Sequence, residues 1–161
     1  MKRITIILVA VFAIVYANAQ KITENDVPTS VKQAFIQKFP NANAKEVKWE
    51  KEDDTGIEAN FKIDKEEYSV TFDQTGKWLE TELEIKKAKL PEAVRVAIAK
   101  EFTRYKIEEA EKIETPDQEL LYEVELEKKE ISYAVQFTTA GKIVKKEEVK
   151  ESEEKEEEEE D

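Results

Sequence analysis

The chain has 161 residues, 38 of them acidic and 26 basic, for a net charge of −12, with no His and no Cys. The missing Cys excludes disulfides, thiol catalysis and Cys-based zinc sites, and the missing His removes the commonest general base and transition-metal ligand. So acidic a molecule, with no basic stripe, repels nucleic acid and anionic membrane surfaces, and neither is expected as a partner.

In chain order, Lys2 and Arg3 precede an almost wholly apolar run over residues 4–16, and Ala17, Asn18 and Ala19 stand before Gln20. A charged start, a short apolar run and an A-x-A site describe a cleaved secretory signal peptide over residues 1–19. The run is shorter than the roughly 20 residues a membrane-spanning helix needs. The mature protein is expected in the periplasm or outside the cell. With no Cys after the run to take a lipid, it is expected to keep no stable membrane anchor.

The remainder reads as a duplication, repeat 1 over residues 20–86 and repeat 2 over 87–150. Val27, Pro28, Val31, Phe35 and Phe39 fall on Leu90, Pro91, Val94, Ile98 and Phe102 at an offset of 63. Further on, Ile57, Ala59, Phe61, Tyr68, Val70, Phe72, Gly76 and Lys77 fall on Tyr122, Val124, Leu126, Tyr133, Val135, Phe137, Gly141 and Lys142 at an offset of 65. Each copy opens with an amphipathic helix whose apolar stripe (Val31, Ala34, Phe35, Phe39; Val94, Ala97, Ile98, Phe102) is read as core, with Pro28 and Pro91 in the first turn and Pro40 ending the first helix.

Alternation with period two follows. In repeat 1 it predicts four strands, with Val47 and Trp49, then Ile57, Ala59, Phe61 and Ile63, then Tyr68, Val70 and Phe72, then Leu79, Thr81, Leu83 and Ile85 facing the core. In repeat 2 it predicts strands around residues 110–114, 122–127, 131–138 and 142–149. The stretches 53–56 and 73–76 read as hairpin turns rather than calcium loops, because neither supplies oxygen ligands at alternate positions with a closing carboxylate. A unit of about 60 residues is marginal alone, so the copies are expected to share one continuous sheet with both helices on the same face. The fold class is α+β, as two tandem units of a helix plus a four-stranded antiparallel sheet.

These features together carry a family resemblance: the apolar-Pro helix starts, Trp49 in the first strand, Tyr68-x-Val70-x-Phe72 ending at the Gly76-Lys77 turn, and the stretch YKIEEAEKI over residues 105–113. The chain resembles the PepSY-like family, also described as β-lactamase-inhibitor-like, over residues 27–149. The resemblance implies a two-layer α+β fold in an exported bacterial protein that acts by binding, with no catalytic or metal signature.

Residues that could carry chemistry are sparse. Ser69 and Ser132 have no His to activate them and sit in no nucleophile elbow, so no catalytic residue, metal ligand or cofactor is expected and the chain reads as a non-enzyme. Glu80, Glu82, Glu84, Glu123, Glu125 and Glu127 occupy the polar phase of strands and read as a solvated sheet face. That open face is the expected binding surface, with Lys62, Thr71, Glu82 and Glu125 as candidates. Trp78 joins them because, if Leu79 faces the core, Trp78 faces outward, where an aromatic anchors a partner. The expected partner is another envelope protein.

Residues 151–161 hold nine acids and one Lys. Such a like-charged block is expected to be a disordered, solubilising tail. The alternative function is structural, with weak divalent-cation buffering by the tail.

Overall fold

A computed structural model of the chain describes residues 20–52, 56–117 and 119–149; the expected signal peptide, the acidic tail and most of the first turn lie outside the described residues. The helices are α1 (Thr29–Lys38) and α2 (Glu92–Glu101), capped by Pro28 and Pro91, where a fixed φ and a missing N–H cost nothing. Phe39 leaves helical geometry before Pro40, as a residue preceding proline must. Phe102 does so at the equivalent position before Thr103, so the end of the helix does not depend on the proline.

Nine strands follow one another in a single antiparallel sheet whose spatial order is the chain order: β1 (Gln20–Ile22), β2 (Lys48–Glu52), β3 (Gly56–Ile63), β4 (Glu66–Asp73), β5 (Trp78–Glu84), β6 (Lys106–Glu114), β7 (Leu120–Lys128), β8 (Ile131–Thr138) and β9 (Ile143–Val149). Two buried clusters form on the helix side. Val31 and Phe35 of α1 pack with Trp49, Ile57, Ala59, Phe61, Val70 and Phe72, and Val94 and Ile98 of α2 pack with Ala110, Val124, Leu126, Val135 and Phe137.

The sheet is one continuous body, as expected, but holds nine strands rather than eight. β1 was not expected, and it explains the organisation. Both β1 and the end of β5 lead through a 3-10 turn into a helix, Glu24–Asp26 before α1 and Lys87–Lys89 before α2. β1 pairs with β2 as β5 pairs with β6. β5 therefore closes the first repeat and opens the second. The register also resolves the change of offset: Trp49 opposite Ala59 corresponds to Ala110 opposite Val124. Two residues are thus lost between helix and first strand in the second copy, and four are gained in the hairpin that follows.

The Asp73–Lys77 turn is closed by its own carboxylate. Asp73 accepts hydrogen bonds from the Thr75 N–H (2.8 Å), the Thr75 hydroxyl (2.6 Å) and the Lys77 N–H (3.0 Å), and these donors hold its pKa below the usual value. The β3–β4 hairpin turns on Asp64 and Lys65, both at positive φ (52° and 73°), a geometry that suits Asn-Gly. Replacing the pair by Asn-Gly is expected to stabilise the fold by about 0.5–1 kcal/mol, because a non-glycine residue in that region carries a cost of about 1 kcal/mol. A urea midpoint that falls instead would contradict this turn geometry.

Candidate binding face

With both cores on one side of the sheet, the opposite side carries no helix among the described residues. Strand register decides what it displays. One row runs Asn60, Ser69, Glu82, Ile113, Leu121 and Thr138 from β3 to β8. Beside it, Glu84, Glu111, Glu123, Gln136 and Lys145 lie opposite one another from β5 to β9. Glu109 faces Glu125 in the next row, and Glu58, Thr71 and Glu80 form another. Like charges directly opposite in a sheet repel, so this is an unusual place to set carboxylates.

Several of these side chains are nonetheless withdrawn from water. Ile113 is only 1 % exposed and Glu123 only 9 %, although both lie on the side away from the helices. Burial pushes the Glu80 carboxyl up to about 6, with Glu123 adding to the rise and Lys145 opposing it. Glu111 is pushed up to about 8, first by burial and then by Glu109, Glu123, Glu58 and Glu84. Glu82 is raised by burial and by Glu111, Glu80 and Glu123. Glu123 is raised by burial despite the hydrogen bond that Gln136 Nε2 donates to its Oε2 at 2.8 Å. Glu109 is raised first by burial and then by Glu84 and Glu67, and Glu125 first by burial and then by Glu109, Glu108 and Glu127. The expectation of a wholly solvated glutamate face is thereby corrected: the side chains set around the glutamates by neighbouring strands, which a strand-parity reading does not see, desolvate its centre.

An open cavity of about 370 Å³ lies on this face over the first repeat and the junction. Lys48 and Lys62 stand on one flank, Glu84, Glu109 and Glu111 on the other, and Asn60 and Ser69 lie between. Lys62 forms an ion pair with Glu67, and the Ser69 hydroxyl donates to Asn60 Oδ1. Chemically the arrangement holds protons near neutral pH and presents negative charge beside two cations. Among the described residues, no group of three acidic side chains is arranged to hold a metal ion.

Of the residues singled out from sequence, Lys62, Thr71, Glu82 and Glu125 share the open face. Lys62 is exposed and Glu125 half-buried, whereas Thr71 is buried, its hydroxyl 3.4 Å from Glu52 Oε2. Trp78 requires a correction. Thr71 pairs with Glu80 but Phe72 pairs with Trp78, so Leu79 is the extra residue of a β-bulge and Trp78 turns to the helix side. There it packs against the first core, donates from Nε1 to Thr81 Oγ1 at 3.0 Å, and lies under Lys38 Nζ, 3.4 Å from the ring centroid. Burial there lowers the Lys38 pKa. The second copy repeats the bulge with Ile143 paired to Phe137 and Val144 extra. The adjacent apolar pairs Trp78-Leu79 and Ile143-Val144, in equivalent places just past a Gly-Lys turn, are the signal that could have shown it.

Sequence reasoning also missed Glu109, Glu111 and Ile113. β6 begins at Lys106, earlier than expected, and a register shift between Ile107 and Glu109 puts Ile107 and Ala110 on the same side and Ile113 on the other. The three-residue spacings in YKIEEAEKI carry that bulge.

Comparison with known proteins gives a family and a fold. Residues 13–66 and 55–145 match the model of the family described as "Putative beta-lactamase-inhibitor-like, PepSY-like". A BLIP-like protein from Bacteroides fragilis is similar in structure at 24% identity and a TM-score of 0.64, covering 79% of this chain and 90% of that one. A DUF2874 family protein from Bacteroides uniformis is similar at 22% identity and 0.68, covering 75% and 88%. A protein from Bacteroides eggerthii described as a "putative periplasmic" protein is similar at 20% identity and 0.70, covering 80% and 93%. At these identities the likeness shows the fold alone. No curated protein matches the chain. No helix among the described residues is long and apolar enough to cross a membrane.

Proposed function

The chain belongs to the PepSY-like, β-lactamase-inhibitor-like family, and from that premise we propose that it is a non-enzymatic, exported envelope module that holds another protein against the open face of its sheet. The observation that supports this most is the carboxyl cluster centred on Glu82, Glu111 and Glu123. Desolvating carboxyls beside one another costs stability, and neutral residues would fill the same strands without that cost. Side chains kept in a destabilising arrangement on a face that no element among the described residues covers fit a binding role better than a structural one.

The test uses the full mature chain as bait in an envelope extract, beside two variants. Lys62→Glu with Glu125→Arg alters the open face; Ile36→Glu with Val96→Glu alters side chains exposed on the helices (57% and 59%). The expected result is a saturable partner kept by the helix variant and bound at least tenfold more weakly by the open-face variant. Loss with the helix variant alone would move the interface to the other side.

A second reading, acid–base chemistry, is favoured by one observation: a carboxyl raised to about 8 lines a cavity together with other acids. Turnover of a chromogenic glycoside or ester that disappears in Glu111→Gln would establish it, and no turnover across such a panel removes it.

A further inference from the structure

Among the described residues, the strand pairing that joins the two repeats is that of β5 with β6, and the side chains it brings together set it apart. Four residue pairs are in register there, close to the five of β2–β3 and of β4–β5 and half the eight of β3–β4, β6–β7 and β7–β8. The two buried clusters share no residue. On the helix side the junction carries Thr81 and Leu83 opposite Glu114 and Lys112, with Lys112 Nζ 2.6 Å from Glu114 Oε1, in place of a continuous apolar layer. On the other side Ile113 is fully buried between its cross-strand neighbours Glu82 and Leu121. Around it lie Glu84 and Glu111, directly opposite each other across the junction, and Glu123 opposite Glu111 on the next strand.

We propose that this junction is a proton-operated joint: with its glutamates protonated the two repeats behave as one cooperative body, and with them ionised the β5–β6 pairing opens while each repeat keeps its own core.

Every strand near the joint contributes charge to it. β3 presents Glu58, β5 adds Glu80, and β6 and β7 add Glu109 and Glu125, all acids. β4 adds Glu67; against these acids β8 offers the Gln136 amide to Glu123, β9 offers Lys145, itself 3.1 Å from Glu147, and β2 and β3 set Lys48 and the Glu67-paired Lys62 across the cavity from Glu84, Glu109 and Glu111. Negative charge therefore outweighs positive on the face of the joint, and the proton lost from Glu111 leaves a charge directly opposite Glu84 and Glu123. The carboxyls on both sides are held above their ordinary value, so protons leave between mild acid and about pH 8, and stability goes with them. Among the described residues, apolar packing across the joint comes from Ile113 on one side and Ile85 on the other, less than either core holds, so the loss falls on the β5–β6 pairing before either core.

Native-state hydrogen exchange of the full chain at pH 6 and pH 9, with exchange times scaled to intrinsic rates, tests this. The expected result is that protection of β5 and β6 amides falls at least tenfold more at pH 9 than that of β3, β4, β7 and β8. In Glu84→Gln with Glu111→Gln, the excess loss should disappear, whereas Glu148→Gln, away from the joint on β9, should keep it. Equal loss across all six strands in the unaltered chain, or an undiminished loss in the double glutamine variant, would overturn the joint.

Discussion

Acidifying the protein from pH 8.5 to pH 5.5 is expected to raise its melting temperature. The sign follows from the direction of the shifts. A glutamate whose folded pKa lies above its ordinary 4.5 keeps its proton in the native state after the unfolded chain has lost it, so the native state binds more protons and stability falls as pH rises. For Glu80 the window runs from about 4.5 to about 6, and for Glu111 from about 4.5 to about 8. Below it the contribution is fully present. Asp73 acts in the opposite sense: its lowered pKa gives stability present above the ordinary value and lost in stronger acid, which places the optimum in mild acid.

Glu111→Gln separates this cluster from general charge effects. The rise from 4.5 to about 8 sets an upper bound of roughly 4–5 kcal/mol at 1.36 kcal/mol per unit. Neighbouring carboxyls titrate with it and redistribute the proton, so the single substitution is expected to recover about 2 kcal/mol at pH 8.5 and almost nothing at pH 5. Denaturant unfolding at both pH values measures the difference. Equal gains at both would mean that Glu111 acts by packing, not by charge.

Gly141→Ala and Gly76→Ala are expected to destabilise by about 3 kcal/mol each, among the larger effects of adding a single methyl group. Both glycines sit at positive φ (77° and 86°) in the turn that precedes the bulge, and both turns press against the first turn of a helix. A Cβ at Gly141 would stand 2.4 Å from the Ala93 carbonyl oxygen, and one at Gly76 would stand 2.6 Å from that of Ser30. The obstacle is helix backbone in each case, so it cannot move aside as a flexible side chain would. At Gly76 the contact is also a tether, the Ser30 hydroxyl donating to the Gln74 carbonyl at 3.0 Å. A cost below about 1 kcal/mol in thermal or urea unfolding would contradict this packing of turn on helix.

What the sequence disclosed and what it withheld divide along physical lines. Helix stripes and strand alternation are local consequences of burial on one face, so Val31, Phe35, Trp49, Phe61, Val124 and Phe137 could be assigned to the core directly. The internal repeat, by matching positions 65 residues apart, carried the long-range information that one copy alone lacks. Trp78 failed because parity counting assumes an unbroken ladder; one extra residue, Leu79, reversed the inference drawn from it to Trp78. Glu82 was placed on the correct face but in the wrong environment. Whether a carboxyl on an open face is wet depends on which side chains the neighbouring strands set beside it, a matter of cross-strand register that no single strand encodes. β1 was hidden because three residues between an expected cleavage site and a helix start give no periodicity to read.

The central claim is that the uncovered face holds carboxyls that keep their protons into the neutral range. The most direct measurement is a titration of side-chain carboxyl carbon-13 shifts of the glutamates from pH 3 to pH 10, assigned through Glu80→Gln and Glu111→Gln. The expected result is one resonance with a midpoint near 6 that is lost with Glu80 and one near 8 that is lost with Glu111. If every glutamate titrates between about 4 and 5, the ordinary range, the cluster is solvated and both the binding face and the joint lose their physical basis.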